Sequence, residues 1–243
     1  MQIGIIALAF VLISAILYIL ATYFYFKALE KNDASIVVVM FQLIPVFSYM
    51  FSLIFFGERL GINEILGGLI IISSAIIISF DFGEKSSKNK AIALILMTFS
   101  SLLYSLYFIC FDVAMRNGNY NAVAFWYQMG LLLVGIALFL IKDYRNSFIN
   151  MIRKNGKKFI SLNVTNEVLN LVANLMVNFA NLTIPLAIAN TVNGFQGVFV
   201  FVIGGIGALL WPKIFVEDLS KKVIIQKGIC IVLSIIGLGV MFV

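Results

Sequence analysis

Eight continuous apolar stretches, each long enough to cross a bilayer, dominate the sequence. The hydrocarbon core of a bilayer is about 30 Å thick, so a spanning helix needs about 20 apolar residues. Lipid also requires backbone hydrogen bonds to be satisfied internally, and the runs do not alternate as strands would. We therefore predict an all-α polytopic transmembrane helix bundle. Its helices cover Met1–Ala28, Ala34–Phe56, Ile62–Phe80, Ala91–Phe111, Ala122–Ile141, Phe159–Asn181, Leu186–Leu210 and Val223–Val243.

The composition excludes several classes of protein. Hydrophobic residues make up 62% of the 243 residues and charged residues only 12%, about half the share in soluble domains. This excludes a soluble enzyme, a disordered chain and a nucleic-acid-binding protein. The chain has no histidine, Cys110 and Cys230 lie in apolar runs, and no phosphate loop or nucleophile triad is present. We therefore expect no catalytic residue, no metal and no cofactor, and the lipid bilayer as a partner.

Lysine and arginine are distributed unequally over the connections between these stretches. When the connections are assigned alternately to two sides, one side holds 15 of the 17 Lys and Arg residues, and the other holds Arg59 and Arg116. Such a bias marks the cytoplasmic side. It predicts a multi-pass protein of the plasma or inner membrane with both chain ends outside the cytoplasm. The segment 142–158, which carries six of these cations, is predicted to be the longest loop.

The first three stretches resemble the last three. Leu29 corresponds to Leu182, Phe41-Gln42 to Phe195-Gln196, and Glu58 to Glu217. The two triplets start five helices apart, and because five is odd, one triplet is inverted relative to the other. Inverted repeats are a recurring plan of secondary transporters, with the solute site between the halves. Glu58 and Glu217 lie in turns, where a carboxylate stabilises the start of the following helix.

The run from Tyr23 to Phe80 resembles the EamA-type domain of the drug/metabolite transporter superfamily. The residues that carry this resemblance are Tyr25, Ala28-Leu29, Ala34-Ser35, Pro45-Val46-Phe47, Gly57-Glu58-Arg59-Leu60 and Gly67-Gly68. The segment from Ala91 to Val243 resembles the second domain of the family more weakly, through Glu217. The resemblance implies a partial first repeat over 1–82, a linker over 83–90 and a second repeat over 91–243. It also implies a structural turn signature formed by Gly57, Glu58, Arg59 and Glu217.

The chain departs from the family in two respects. Family members usually have ten helices, as five plus five, whereas three plus five are predicted here, so the first two helices are expected to be missing. A chain that lacks them is expected to be less stable or to form a homodimer that covers the open wall. Family members also keep both ends in the cytoplasm, whereas the charge bias predicts a reversed orientation.

A polar stripe on the sixth stretch is the main candidate for a solute site. Its amides recur every three or four residues and fall on one helical face, together with Glu167. They are Asn163, Asn166, Asn170, Asn174, Asn178 and Asn181. The stripe either lines an aqueous cavity or forms hydrogen bonds between helices. Glu167 either serves the solute or a coupling proton, or pairs with a loop cation such as Lys157 or Lys158.

Single amides in other apolar helices extend this candidate site. The complete predicted substrate-binding set is Glu167, Asn170, Asn174, Asn178, Gln42, Gln196 and Asn193. Aromatic residues, among them Tyr104, Tyr107 and Tyr127, are interpreted mainly as packing or interface anchors.

Three functions remain open at this point. The first is a secondary transporter that moves a small polar metabolite or drug-like solute by alternating access, with proton coupling as an option. The second is a membrane scaffold or assembly protein without transport, and the third is a lipid-linked-sugar flippase. The resemblance favours the transporter.

Overall fold

The computed structural model describes residues 3–30, 32–57, 61–79, 87–183, 196–211 and 217–241. These residues form nine helices and no strand. The helices are α1 (Ile5–Leu29), α2 (Ala34–Phe41), α3 (Leu43–Phe56), α4 (Ile62–Ser79), α5 (Ser87–Arg116), α6 (Tyr120–Leu140), α7 (Lys142–Thr183), α8 (Gln196–Leu210) and α9 (Lys221–Met241).

The predicted all-α membrane fold is confirmed. Because α2 and α3 follow each other as one span, the nine helices form eight segments, which match the eight predicted stretches. Five segments are long and apolar enough to cross a membrane, namely α1, α2 with α3, α5, α6 and α9, and α4 and α8 are shorter apolar helices.

The second span is interrupted at Gln42. Pro45 has no backbone N–H, so it leaves the carbonyl of Phe41 without its helical partner, and the helix breaks between them. The hydroxyl of Ser105 on α5 donates to the Ile44 carbonyl at 2.9 Å, beside this break. The same span ends before Gly57, whose φ of +66° is a conformation that favours glycine.

The two ends of the bundle are fixed by contacts between helix termini. At one end, Asn32 donates to the Asn89 carbonyl, and Asp33 forms an ion pair with Lys227. At the other end, Val11 of α1 packs against Ala114 of α5 and Val123 of α6. Asp33, Asn89 and Lys227 therefore share one end, which we call the basic end because the charge bias assigns 15 of the 17 Lys and Arg residues to it.

We expect the basic end to face the cytoplasm. An alkaline phosphatase fused after Val243 should then be active and a green fluorescent protein there should be dark. Fusions after Asn155, on the predicted cytoplasmic side, should give the opposite readouts and serve as the control. A fluorescent, phosphatase-inactive fusion after Val243 would reject this orientation.

The segment 142–158 is helical, so the prediction of a long loop there is wrong. Most of it forms the first part of α7, up to a kink at Gly156, where φ is +51°. Tyr144, Phe148 and Met151 recur on one face of this part, and the Phe148 ring lies 6.0 Å from the Phe139 ring and 6.3 Å from the Phe159 ring. Apolar residues at this spacing form an amphipathic helix despite the high charge.

Small residues allow the helices to approach closely. Ala7, Ala15, Ala21 and Ala28 are fully buried along α1, which packs mainly on α5. On the other side of the bundle, Gly67 of α4 meets Gly237 of α9. Such contacts drive helix association in lipid, where apolar surface alone gives no preference for a protein neighbour.

Candidate solute-binding site

Four tyrosines from three helices form a cluster in the interior of the bundle. The ring of Tyr18 on α1 lies 5.7 Å from that of Tyr104 and 5.6 Å from that of Tyr107, both on α5. It lies 6.3 Å from the ring of Tyr127 on α6. We call Tyr18, Tyr104, Tyr107 and Tyr127 the tyrosine cluster. Its position halfway along α1 places aromatic rings and phenol groups deep in the spanning region.

The phenol groups of this cluster are hydrogen-bonded to one another and to nearby hydroxyls. The hydroxyls of Tyr104 and Thr22 lie 2.8 Å apart, and Tyr107 and Tyr127 share a side-chain hydrogen bond. Phe41, at the end of α2, packs on Tyr104 with ring centroids 5.2 Å apart. The helix break at Gln42 therefore lies beside the tyrosine cluster, and the cluster combines apolar faces with hydroxyl groups.

Glu167 is exposed on α7 and interacts electrostatically with the Tyr18 phenol. It has no ion pair among the residues that the structure describes, and Lys157 and Lys158 are exposed. The helices α1, α5 and α6 carry Lys and Arg only near their ends. The Glu167 carboxylate therefore acts on the tyrosine cluster from α7, a helix that packs mainly against α6.

The other predicted site residues are distributed more widely. Asn170 is exposed one turn beyond Glu167, whereas Asn163 donates to the Phe159 carbonyl of its own helix at 2.8 Å. Gln42 is buried at the helix break, and Gln196 is exposed at the start of α8. No contact within the described ranges joins Gln196 to the tyrosine cluster. The residues whose side chains lie outside the described part are Asn174, Asn178, Asn181, Asn193, Glu58 and Arg59.

A buried ion network at the basic end was missed by the sequence analysis. The ammonium group of Lys227 lies 2.7 Å from a carboxylate oxygen of Asp33 and 2.7 Å from one of Glu217. The three side chains are only 1%, 3% and 9% exposed, respectively. We call these three residues the ion network. It joins the turn between α1 and α2 to the segment that enters α9.

Glu217 stabilises a different helix from the predicted one. Its carboxylate accepts hydrogen bonds from the backbone N–H of Ser35, at 3.3 Å, and from the Ser35 hydroxyl, at 2.7 Å. Ser35 is in the first turn of α2, where free N–H groups favour a carboxylate. The residue beside the start of α9 is instead Asp218, which accepts from the Ser220 N–H at 2.9 Å.

One indication of the ion network was present in the sequence, namely charged residues within or directly beside apolar helices. Lys227 lies in the second turn of an apolar helix, and Asp33 begins another, so both are costly to bury without a partner. Sequence analysis counted Lys227 only as a topological charge, because nothing in the sequence pairs residues 194 positions apart.

Comparison with known proteins supports the resemblance carried by the first helices. Residues 2–80 match the model of the EamA-like transporter family, which confirms that resemblance. No curated protein and no solved structure shows a significant match to the chain. The matched segment contains α1 to α4, and with them Tyr18, Asp33 and the break at Gln42. The chain is therefore a multi-pass membrane protein whose first four helices are similar to the EamA-like transporter family.

Proposed function

We propose that the chain is a secondary transporter that carries a small polar solute by alternating access, and that the solute binds between the tyrosine cluster and Glu167. The observation that supports this proposal is that the exposed Glu167 carboxylate on α7 acts electrostatically on the phenol of Tyr18, which lies halfway along the apolar helix α1. A charged residue inside a membrane is costly, and such residues usually serve substrate or ion pathways. The family match over residues 2–80 agrees with transport of a small solute.

The chemistry of these groups favours a solute with a positive or hydrogen-bond-donating end. A carboxylate is a pure acceptor, phenol hydroxyls both donate and accept, and the faces of tyrosine rings attract cations. Asn170, one turn from Glu167, adds an amide to the same face. An amino acid or an amine-bearing organic molecule suits this combination.

The break between α2 and α3 supports a pathway that changes shape. Interrupted helices occur at the sites of secondary transporters, because the freed backbone groups line a cavity and the two helix parts can tilt separately. The break at Gln42 lies beside the tyrosine cluster, through the contact of Phe41 with Tyr104. A change in tilt of α2 would therefore reach the proposed site directly.

Replacing Glu167 with glutamine should lower solute uptake at least about tenfold at low solute concentration. A hydrogen bond to a charged group contributes about 1.5–3 kcal/mol, and the amide keeps the size of the side chain while removing the charge. Uptake of a panel of amino acids and organic amines into proteoliposomes measures the effect. Glu30→Gln, which removes the same charge from an exposed position at the end of α1, is the matched control and should transport normally.

A pH gradient separates the two roles that Glu167 can have. If Glu167 carries the coupling proton, Glu167→Gln abolishes the stimulation of uptake by the gradient. If Glu167 binds the solute cation, the variant loses its preference for cationic over neutral solutes. A Glu167→Gln variant that transports like the wild type would locate the site elsewhere. A folded wild-type chain that transports no solute of the panel would reject transport in favour of a scaffold.

A further inference from the structure

We infer that the ion network of Lys227, Asp33 and Glu217 is the gate that closes the solute pathway at the basic end, and that it separates each time the pathway opens there. This inference depends on the alternating access proposed above. It assigns a transport role to three residues that lie away from the tyrosine cluster.

The ion network connects two parts of the chain that are far apart in sequence. Asp33 precedes α2 and Ser35 lies in its first turn, whereas Glu217 precedes α9 and Lys227 lies in its second turn. Each of the contacts Lys227–Asp33 and Ser35–Glu217 thus joins the first helices of the chain to the last. In the proposed repeat these are the two halves, and alternating access moves the halves apart at one face at a time.

Next to the ion network, on the side toward the middle of the bundle, apolar side chains pack together and also close the solute pathway. Cys230, one turn along α9 from Lys227, is fully buried in a core cluster with Val37 and Met40 of α2. Val38, five residues after Asp33, also faces α8, where it lies 3.8 Å from the position that a Cβ on Gly197 would occupy. The charges therefore cap an apolar seam between α2, α8 and α9.

The chemistry of the network suits a contact that opens and closes. Buried charges are stable when they are paired, and separated charges are stable when water hydrates them. An ion network that opens toward the aqueous side exchanges the first condition for the second, so hydration offsets part of the cost of separating the charges while the paired, closed state stays the more stable one. An apolar contact of the same area would lose its stabilisation on exposure to water.

The proposed repeat gives the opposite end no equivalent network. Glu58 is the counterpart of Glu217, and at the same spacing the counterpart of Lys227 is Gly68. Leu29 is the counterpart of Leu182, and at that spacing the counterpart of Asp33 is Leu186. The counterpart set thus keeps one acid and lacks both the lysine and the second acid. By the proposed repeat the sequence supplies no counterpart of the ion network at the opposite end, so the charges of the network stabilise the conformation with a closed basic end.

The native thiol of Cys230 reports on this gate. In a Cys110→Ala background Cys230 is the remaining thiol, and its full burial predicts slow reaction with a membrane-impermeant maleimide applied from the basic end. The triple variant Asp33→Asn, Glu217→Gln and Lys227→Met removes all charges of the network while keeping similar side-chain sizes. We expect it to raise the labelling rate from the basic end at least about tenfold, because the closed state loses its ion pairs.

Two controls distinguish an open gate from a loosened fold. Asp112→Asn with Arg116→Met removes an exposed ion pair at the other end of the bundle and should leave labelling unchanged. Labelling of the triple variant from the opposite face should stay slow. Unchanged labelling of the triple variant from the basic end, or an equal increase from both faces, would overturn the gate.

A transport measurement on the same proteins separates this inference from the proposed function. We expect the triple variant to lose concentrative uptake and to keep solute exchange, because a pathway with a weakened gate leaks. Absence of wild-type uptake and exchange rejects the transporter itself, whatever the labelling result. Normal concentrative uptake by the triple variant rejects the gate and leaves the transporter standing.

Discussion

Replacing Lys227 alone with methionine should destabilise the folded chain by about 3–5 kcal/mol, the largest single-residue effect that we expect. The side chain is 1% exposed, and its removal takes the ammonium group away from two buried carboxylates, those of Asp33 and Glu217. The free energy of unfolding, measured by denaturant titration in detergent micelles, tests this prediction.

Two further variants test whether the loss of stability comes from the unbalanced buried charge. Lys221→Met removes a lysine from the exposed start of the same helix and should change stability by no more than about 0.5 kcal/mol. The triple variant Asp33→Asn, Glu217→Gln and Lys227→Met should recover most of the loss, because neutral groups replace both the cation and its partners. A Lys227→Met variant as stable as Lys221→Met would mean that the ion pairs contribute little.

The second large effect concerns the contact between α4 and α9. A Cβ on Gly67 would overlap the Gly237 carbonyl oxygen and the Met241 side chain, and would lie 2.8 Å from the Met241 backbone nitrogen. Since part of this obstacle is backbone, the helices have to separate, and Gly67→Ala should cost about 1–3 kcal/mol. Separation would also strain the hydrogen bond between the Ser74 and Ser234 hydroxyls, which are 2.8 Å apart.

The adjacent glycine provides the control. A Cβ on Gly68 would lie 3.7 Å from Val46, an ordinary contact distance, so Gly68→Ala should keep stability unchanged or raise it by up to about 1 kcal/mol through its better helix propensity. Denaturant titration of both variants, with yield of folded protein as a second readout, measures the difference. Equal behaviour of Gly67→Ala and Gly68→Ala would contradict close packing of α4 on α9.

The helices were predictable because a segment that is long and apolar enough to cross lipid must satisfy its backbone hydrogen bonds internally, as a helix does. The predicted start of the second span at Ala34 and its end at Phe56 agree with the structure, and Pro45 explains the break at Gln42. The first part of α7 was not predicted as a helix. Its charges were interpreted as loop charges, although Tyr144 and Phe148 already had helical spacing.

The candidate site was predictable only in part. The face that carries Glu167 follows from local sequence periodicity, whereas the tyrosine cluster depends on how the helices pack. The periodicity of the sixth stretch assigns Glu167 and Asn170 to one face, which is a local property of the sequence. The tyrosine cluster joins three helices, and the rings of Tyr18 and Tyr127 meet through tertiary packing alone. Sequence analysis therefore interpreted its tyrosines mainly as packing and left Tyr18 out.

The ion network also has a consequence for biosynthesis. Asp33 emerges 194 residues before Lys227, so its carboxylate enters the membrane region long before its cation exists. Lys227 in turn meets the insertion machinery in the second turn of an apolar segment, where a lysine without a partner is costly. Each charge offsets the cost of the other only after α9 docks. Insertion of α9 is therefore the step that completes the ion network, and a chain that stalls before it exposes the carboxylates of Asp33 and Glu217 without Lys227 to cellular quality control.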